Sequence, residues 1–270
     1  MKTQFEKIYV VSLITNKNRQ EFVKYQMDDL NLDFEFLYGI DFYNLKHDRF
    51  GKEISYPSLT NEWEHLNNSK AFGCAISHYN AVLHAYELGY KNVLVLEDDI
   101  CFIKNREILY NYLNLIPPEV DFITYNTRFI EKEEVELFKN YQQLYNDGND
   151  YFIKIPNTFT SLCGGMMYGL MNRQTMELYL NNQRTNFLHA DHINGIFENP
   201  TVRRYSSIYA VGIDQYNRLR KGKEYDEFGV CYDQANIVAN YDDFYEPSNY
   251  NISNLNDKLE ESIIEDKNKI

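Results

Sequence analysis

The chain has 270 residues, of which 44% are hydrophobic and 25% are charged, so its composition is that of a globular protein with a large core. Its formal net charge of -13 argues against a general nucleic-acid binder, which needs a basic face. No run approaches the roughly 18 apolar residues of a transmembrane helix, and the start of the chain has no apolar core of a signal peptide. We therefore expect a cytoplasmic protein with at most peripheral membrane contact.

The cysteines give no metal signal. They lie far apart and form no pair with the spacing of a zinc site, so we expect reduced thiols and no zinc bound between cysteines. The four positions are Cys74, Cys101, Cys163 and Cys231.

The first hundred residues alternate between buried strands and amphipathic helices, which predicts a parallel sheet with right-handed crossovers. The predicted elements are a strand at 8–13, a helix at 17–30, a strand at 34–38, a loop at 44–68, a helix at 70–88 and a strand from 93 to 96. Gly89 is expected to end the second helix.

The rest of the chain continues this pattern less regularly. We predict strands at 121–125, 151–155, 165–171 and 207–211, an exposed helix and loop at 130–150, a helix at 173–181 capped by Asn172, and a short helix at 255–266. No internal repeat or strong linker is present, so we expect one domain over 1–246 and a peripheral charged tail over 247–270.

Glu97, Asp98 and Asp99, called the acidic triplet below, directly follow the aliphatic run at 93–96. An aliphatic run without alternation is typical of a strand buried on both faces, and ligands of open α/β sheets bind beyond the carboxyl ends of such strands. Carboxylate oxygens suit Mg²⁺ or Mn²⁺, which often carry a substrate's phosphates. A solvated acidic turn is the alternative, but the buried strand favours a site.

A basic cluster stands out late in this acidic chain. Its members are Arg218, Arg220, Lys221 and Lys223. Such a segment can fold over a diphosphate and neutralise a leaving group. A solvated basic turn is an equally good interpretation of the segment taken alone.

Asp191 stands between His189 and His192, just before a predicted short helix. A helix cap is the commoner role of such a residue, and a general base is the functional alternative. The spacing of the two histidines does not match a helical zinc pair.

Four stretches of the chain carry a resemblance to a known family. They are Ile8-Tyr9-Val10-Val11-Ser12-Leu13 with Arg19, Phe36-Leu37-Tyr38-Gly39-Ile40-Asp41, Gly73-Cys74-Ala75-Ile76-Ser77-His78 continuing to Leu94-Val95-Leu96-Glu97-Asp98-Asp99-Ile100, and His189-Ala190-Asp191. Together they resemble glycosyltransferase family 25, enzymes of bacterial lipopolysaccharide and lipooligosaccharide assembly that are related to the collagen galactosyltransferases.

The resemblance implies a GT-A fold, a Rossmann-like α/β sandwich with a mostly parallel sheet and a nucleotide-sugar site at its carboxyl edge. It implies an inverting transfer of galactose or glucose from a UDP-sugar to a glycan acceptor, with a nucleotide-binding half near 1–127 and an acceptor-binding half near 128–246. The implied roles are Mn²⁺ or Mg²⁺ binding by Glu97 and Asp99, donor contacts by Ser12, Arg19, Asp41, Ser77, His78, Glu97 and Asp98, a lid with Arg218 and Lys221, and a catalytic base at Asp191.

One departure from related enzymes concerns the metal. Many GT-A enzymes place a late histidine on the ion, but this chain has no histidine after His192, so either Asp214, Gln215 or water takes that position or the metal affinity is weak. Two alternatives stay open: a metal-dependent nucleotidyl or phosphoryl transferase, in which Asp121 adds a ligand, and a non-catalytic protein that binds nucleotides or glycans.

Overall fold

A computed structural model describes residues 3–39, 69–103, 105–125, 128–129, 151–155, 167–185, 201–207, 212–214 and 232–233. The elements are β1 Lys7–Ser12, α1 Lys17–Asp29, β2 Glu35–Tyr38, α2 Ser69–Glu87, β3 Val93–Glu97, β4 Ile100–Phe102, α3 Arg106–Asn114, β5 Phe122–Thr124, β6 Arg128–Phe129, β7 Phe152–Lys154, β8 Met167–Leu170, α4 Arg173–Thr185, β9 Arg204–Ser207, β10 Gly212–Asp214 and β11 Tyr232–Asp233.

The main sheet has seven strands in the order β2-β1-β3-β8-β5-β9-β7. β2, β1, β3, β5 and β9 run in one direction, whereas β8 and β7 run in the opposite direction. The sheet is therefore mixed, with three parallel and three antiparallel pairings, and the predicted α/β class is confirmed. The two reversed strands are a feature that the strand–helix alternation of the first half does not predict.

The strand order reverses at β1. The chain passes from β1 outward to β2 and then returns across β1 to reach β3, so β1 lies between its two parallel neighbours. In doubly wound sheets this arrangement leaves a crevice at the carboxyl ends of the strands where the order reverses, and ligands bind there. The crevice here lies at the ends of β1 and β3.

Helices pack on both faces of the sheet because β1 and β3 are buried on both sides. On one face, Val10 and Leu96 pack with Phe22 of α1 and Leu113 of α3. The alternate residues of the same strands point to the other face, where they pack against α2 and α4. This second core includes Tyr9, Val95, Ala81, Val82, Ala85, Met176 and Tyr179. The described part of the chain is thus a three-layer αβα sandwich.

Local signals explain how the helices begin and end. Gly89 has φ +82° and follows α2, as expected of a glycine that closes a helix. Asn172 accepts a hydrogen bond of 2.8 Å from the Thr175 backbone N–H, which confirms the predicted cap of α4. Asn31, with φ 49°, closes α1 in the same left-handed conformation.

Most predicted elements match the structure to within a few residues, with two differences. The late strand was predicted at 207–211, but the described strand β9 begins at Arg204 and shares only Ser207 with the prediction. Five short elements are not predicted from the sequence: β4, β6, β10, β11 and α3. The loop at 44–68, the helix and loop at 130–150 and the tail lie outside the described residues.

Within the described ranges, no helix combines the length and apolarity needed to cross a membrane.

Candidate functional site

The carboxyl ends of β2, β1 and β3 meet at one edge of the sheet. Ser12 lies opposite Tyr38 of β2, and Val11 lies opposite Glu97 of β3. The last residue of β1 is therefore next to the start of the acidic triplet. Because the strand order reverses here, the triplet lies in the crevice where a doubly wound sheet binds its ligand.

Asp98 is the centre of a hydrogen-bond network in this crevice. Its side chain is almost fully buried, and its Oδ2 accepts hydrogen bonds from Ser12 Oγ at 2.6 Å and from Asn16 Nδ2 at 3.3 Å. Gln20 Nε2 donates to Ser12 Oγ at 3.2 Å and thereby orients the hydroxyl. A buried carboxylate needs such donors, because burial without them carries a large desolvation cost.

Arg19 joins the second and third members of the triplet. Its Nη1 lies 3.2 Å from Asp98 Oδ1 and 3.2 Å from Asp99 Oδ2. Burial by itself lowers the pKa of Arg19, but the attraction of Asp99 and Asp98 outweighs this effect, so the pKa lies above its ordinary value. The guanidinium therefore stays charged and offsets the repulsion between the two carboxylates.

Glu97 faces a different set of partners, on the α2 side of the sheet. Its Oε1 lies 3.3 Å from His78 Nε2 and 3.8 Å from Cys74 Sγ. His78 is fully buried, and its Nδ1 lies 3.0 Å from the hydroxyl of Tyr168 on β8. The triplet thus divides: Asp98 and Asp99 contact α1, and Glu97 contacts α2.

Ser77 is buried and holds a close approach between α2 and the segment after β2. Its Oγ donates to the Gly73 carbonyl at 2.6 Å. A Cβ added to Gly39 would lie 2.8 Å from Ser77 Oγ, so only glycine fits without movement. The Gly39 N–H also donates to the Ser12 carbonyl at 2.7 Å. Ser77 therefore supports the edge of the candidate site through packing.

A second, small sheet brings a distant part of the chain to the triplet. β10 pairs antiparallel with β4, with Asp214 opposite Ile100. Because Ile100 directly follows the triplet, the backbone at Asp214 lies beside it. The basic cluster begins four residues further along the chain.

The predicted site residues fall into three groups. The structure brings Ser12, Arg19, Asp98 and Asp99 into one network, and it brings His78 and Glu97 together next to it, with Ser77 on the same helix. The predicted Asp41, Asp191, Arg218 and Lys221 lie outside the described residues.

Three residues of this region were not singled out as site residues from the sequence: Asn16, Gln20 and Cys74. Asn16 occupies the N-cap position of α1, but its side chain makes no cap hydrogen bond and instead donates to Asp98. Asn16 stands three residues before Arg19 in the sequence, and this spacing is the local feature that could have identified it as a site residue. Cys74 lies four residues before His78, which places both on one face of α2.

A cavity of about 290 Å³ lies elsewhere, at the amino edge of the sheet beside α4. Asp121, which opens β5, is its main acidic residue, and that carboxylate already accepts hydrogen bonds from Arg203 and Asn172. Asp121 is therefore at the opposite end of the strands from the triplet and does not add a ligand there. The chemistry of the carboxyl edge makes it the better candidate site.

The acidic triplet supplies ligand atoms of the type that a hard divalent cation prefers. Asp98, Asp99 and Glu97 offer only carboxylate oxygens, which Mg²⁺ and Mn²⁺ prefer. Asp99 lies at the strand end with a partly exposed carboxylate that shares Arg19 with Asp98. The three carboxylates do not meet at one point in this structure, because Asp98 and Asp99 contact Arg19 of α1 whereas Glu97 contacts His78 of α2.

Known proteins resemble this chain to different degrees. A solved structure described as "crystal structure of a glycosyltransferase involved in the glycosylation of the major capsid of PBCV-1" is similar over 74% of this chain and 81% of that chain, with 13% identity and a TM-score of 0.39. The comparison with curated proteins gives no match. The model of glycosyltransferase family 25 (LPS biosynthesis protein) matches residues 5–193, a range that contains the α1 network, the acidic triplet and Asp191. The chain therefore belongs to glycosyltransferase family 25.

Proposed function

We propose that this glycosyltransferase moves a hexose, galactose or glucose, from a UDP-sugar to a hydroxyl of a glycan acceptor, with inversion at the anomeric carbon. The description of its family supports a lipopolysaccharide, a lipooligosaccharide or a related surface glycan as the acceptor. A lipid-linked acceptor of this kind would be met at the inner face of a membrane.

The observation that carries the proposal is the network at the reversal of strand order. Ser12 at the end of β1 and Asp98 at the end of β3 are joined by a hydrogen bond of 2.6 Å, and Arg19 connects Asp98 to Asp99. This crevice is where a doubly wound sheet binds a nucleotide, and its donors suit a ribose and a diphosphate. We therefore assign Ser12, Arg19 and Asp98, with Asp41, to the nucleotide.

In this proposal, Asp99 and Glu97 would hold Mn²⁺ or Mg²⁺ next to the diphosphate. The bound ion would supply Lewis-acid stabilisation of the charge that develops on the departing UDP. Arg19, whose charge already lies between Asp98 and Asp99, would help to keep the carboxylates from repelling the phosphates.

The basic cluster is proposed to close over the diphosphate. Asp214 lies opposite Ile100, and Arg218 follows four residues later in the sequence. Arg218 and Lys221 would neutralise the leaving diphosphate and exclude water. The pairing of β10 with β4 supports this assignment because it anchors the start of the segment at the site.

Asp191 is the proposed general base. It would take the proton of the acceptor hydroxyl as the oxygen forms its bond to the anomeric carbon. The bond from that carbon to the diphosphate oxygen breaks on the opposite face, and its electron pair leaves with UDP. The assignment of Asp191 rests on the resemblance and on its place inside the range that the family model matches.

The first test is thermal unfolding of the full chain with a panel of nucleotide sugars, with and without Mn²⁺. A ligand that binds only the folded state adds about 2.7 kcal/mol of stability at a hundredfold excess over its dissociation constant. We expect one UDP-sugar to raise the melting temperature, and Mn²⁺ to increase the shift. No shift with any nucleotide sugar on folded protein would overturn the proposal.

A matched pair of variants places the effect at the triplet. Asp99→Asn is expected to lose the Mn²⁺-dependent part of the shift and most of the transfer activity. Asp28→Asn, an exposed acid on α1, serves as the control and is expected to keep both. Full activity in Asp99→Asn would remove the triplet from the mechanism. Nucleotide binding without turnover on a broad acceptor panel would favour the non-catalytic alternative. Pyrophosphate release from a nucleoside triphosphate would favour the nucleotidyl transferase.

A further inference from the structure

Three side chains from two elements converge beside the acidic triplet. Cys74 and His78 are four residues apart on α2, so both point from one face of the helix. Glu97 ends β3 and turns toward that face. One potential ligand atom from each side chain lies within 4.8 Å of the other two.

The spacing of these atoms fits one small cation. With ordinary zinc bond lengths, tetrahedral ligands are separated by about 3.3 Å for nitrogen and oxygen and about 3.5 Å for sulfur and oxygen. The corresponding separations here are 3.3 Å between His78 Nε2 and Glu97 Oε1, and 3.8 Å between Cys74 Sγ and Glu97 Oε1. The third separation, between the ligand atoms of Cys74 and His78, is within 4.8 Å.

His78 supplies a second, independent observation. The side chain is fully buried, and its Nε2 makes no hydrogen bond within the part of the chain that the structure describes. The other ring nitrogen, Nδ1, lies 3.0 Å from Tyr168 Oη, and the two rings are stacked with centroids 5.6 Å apart. A metal-bound histidine has this arrangement, in which one nitrogen is oriented by a hydrogen bond and the other faces the ion.

We propose that Cys74, His78 and Glu97 bind a transition-metal ion, with Zn²⁺ as the expected ion, at the junction of α2 and β3. The thiol of Cys74 loses its proton to solvent when the ion binds, so the thiolate and the carboxylate together balance the charge of the cation. Sulfur and imidazole ligands distinguish this set from the oxygen-only set expected to hold Mn²⁺ or Mg²⁺, although the two sets share Glu97.

The site has consequences for the fold and for the triplet. Three protein ligands leave a fourth position for water or another donor. The ion joins α2 to the end of β3 and orients Glu97 through Oε1. No zinc motif is recognisable in the sequence, because the ligands are one cysteine, a histidine one turn later and a strand residue 19 positions further on. This pattern contains no pair of cysteines.

The test is metal binding by the full chain after treatment with a chelator. Zn²⁺ affinity is measured by competition with a chromophoric chelator, and Co²⁺ is used as the spectroscopic probe. We expect one tight Zn²⁺ site, a rise in melting temperature on its addition, and a thiolate-to-cobalt charge-transfer band with the intensity of tetrahedral coordination. Cys74→Ser and His78→Gln should each weaken Zn²⁺ binding by about tenfold or more.

Cys101→Ala is the matched control, because Cys101 is a buried cysteine on β4 outside the cluster. It should keep the cobalt band and the affinity. A Zn²⁺ affinity that is unchanged in Cys74→Ser, or a wild-type cobalt spectrum without a thiolate band, would overturn the proposal. If a variant does not fold, X-ray absorption of the wild-type zinc protein decides: one sulfur ligand among nitrogen and oxygen supports the site, and a shell without sulfur refutes it. None of these readouts depends on transferase activity.

Discussion

Ser12 Oγ donates a hydrogen bond of 2.6 Å to Asp98 Oδ2 across the carboxyl ends of β1 and β3. Both side chains are buried, at 2% and 5% exposure, so the contact is shielded from water. It joins the two strands at the point where the strand order reverses, and it fixes one carboxylate of the acidic triplet in place. The predictions below start from this contact and its neighbours.

Removal of the Ser12 hydroxyl should affect both stability and nucleotide binding. Ser12→Ala leaves Asp98 with one donor fewer in a buried position, which costs about 1–3 kcal/mol of unfolding free energy. We expect a lower melting temperature and weaker UDP binding by calorimetry. Thr175→Val is the control, because it removes a hydroxyl that bonds Asn172 near the other edge of the sheet. Equal UDP affinity in Ser12→Ala and the wild type would contradict the role assigned to Ser12.

Arg19 competes with a cation for the carboxylates of Asp98 and Asp99. In Arg19→Met the two acids lose their shared counter-charge, so we expect Mn²⁺ alone to bind several-fold more tightly and UDP to bind more weakly. Mn²⁺ binding is measured by electron paramagnetic resonance at constant ionic strength. Lys24→Met removes an exposed cation of the same helix, paired with Asp28, and should change neither quantity. The assignment fails if Mn²⁺ binds equally to Arg19→Met and the wild type.

The close approach of Gly39 to α2 predicts a steric effect on the site. In Gly39→Ala the new Cβ would meet Ser77 Oγ at 2.8 Å, so the segment after β2 or the helix must move, at a cost of about 1–3 kcal/mol. We expect lower stability and weaker UDP binding, with partial rescue by the second change Ser77→Ala. Gly89→Ala is the control: it strains a positive φ but has open space, so it should lower stability alone. Unchanged UDP binding in Gly39→Ala would show that the packing of Gly39 against Ser77 does not affect nucleotide binding.

Asp121 gives a prediction about pH. Burial by itself raises its pKa, but hydrogen bonds from Arg203 outweigh this effect and hold the pKa below its ordinary value of 3.8. A lowered pKa in the folded state means that the unfolded chain binds the proton more readily. The stabilisation is therefore present above the unfolded pKa and is lost as pH falls through the folded pKa.

The measurement is the melting temperature of wild type and Asp121→Asn as a function of pH. We expect the wild type to melt a few degrees higher at about pH 7, and the difference to shrink below about pH 4. Asp33→Asn, which changes an exposed acid after α1, is measured in parallel as the charge-matched control. A gap that stays constant down to about pH 2 would show that protonation of Asp121 does not weaken the pair.

Local sequence patterns account for much of the framework. The aliphatic run of β3 predicts a strand buried on both faces, and the structure buries its first four residues completely. The apolar stripe of α2, the glycine at its end and the Asn172 cap of α4 were likewise readable, because each depends on residues within a turn or two of one another. The position of the acidic triplet at a strand end follows from the same local signal.

The sequence alone determined that this is an α/β protein of glycosyltransferase family 25 with carboxylates at a strand end, because periodicity and short motifs are local properties. Only the tertiary structure decided that Asp98 and Asp99 contact α1 while Glu97 turns to Cys74 and His78, and that β8 and β7 are reversed. It also decided that Asp214 lies opposite Ile100. These contacts join residues tens of positions apart. They depend on strand order and on which face each residue points to, and no local preference encodes either.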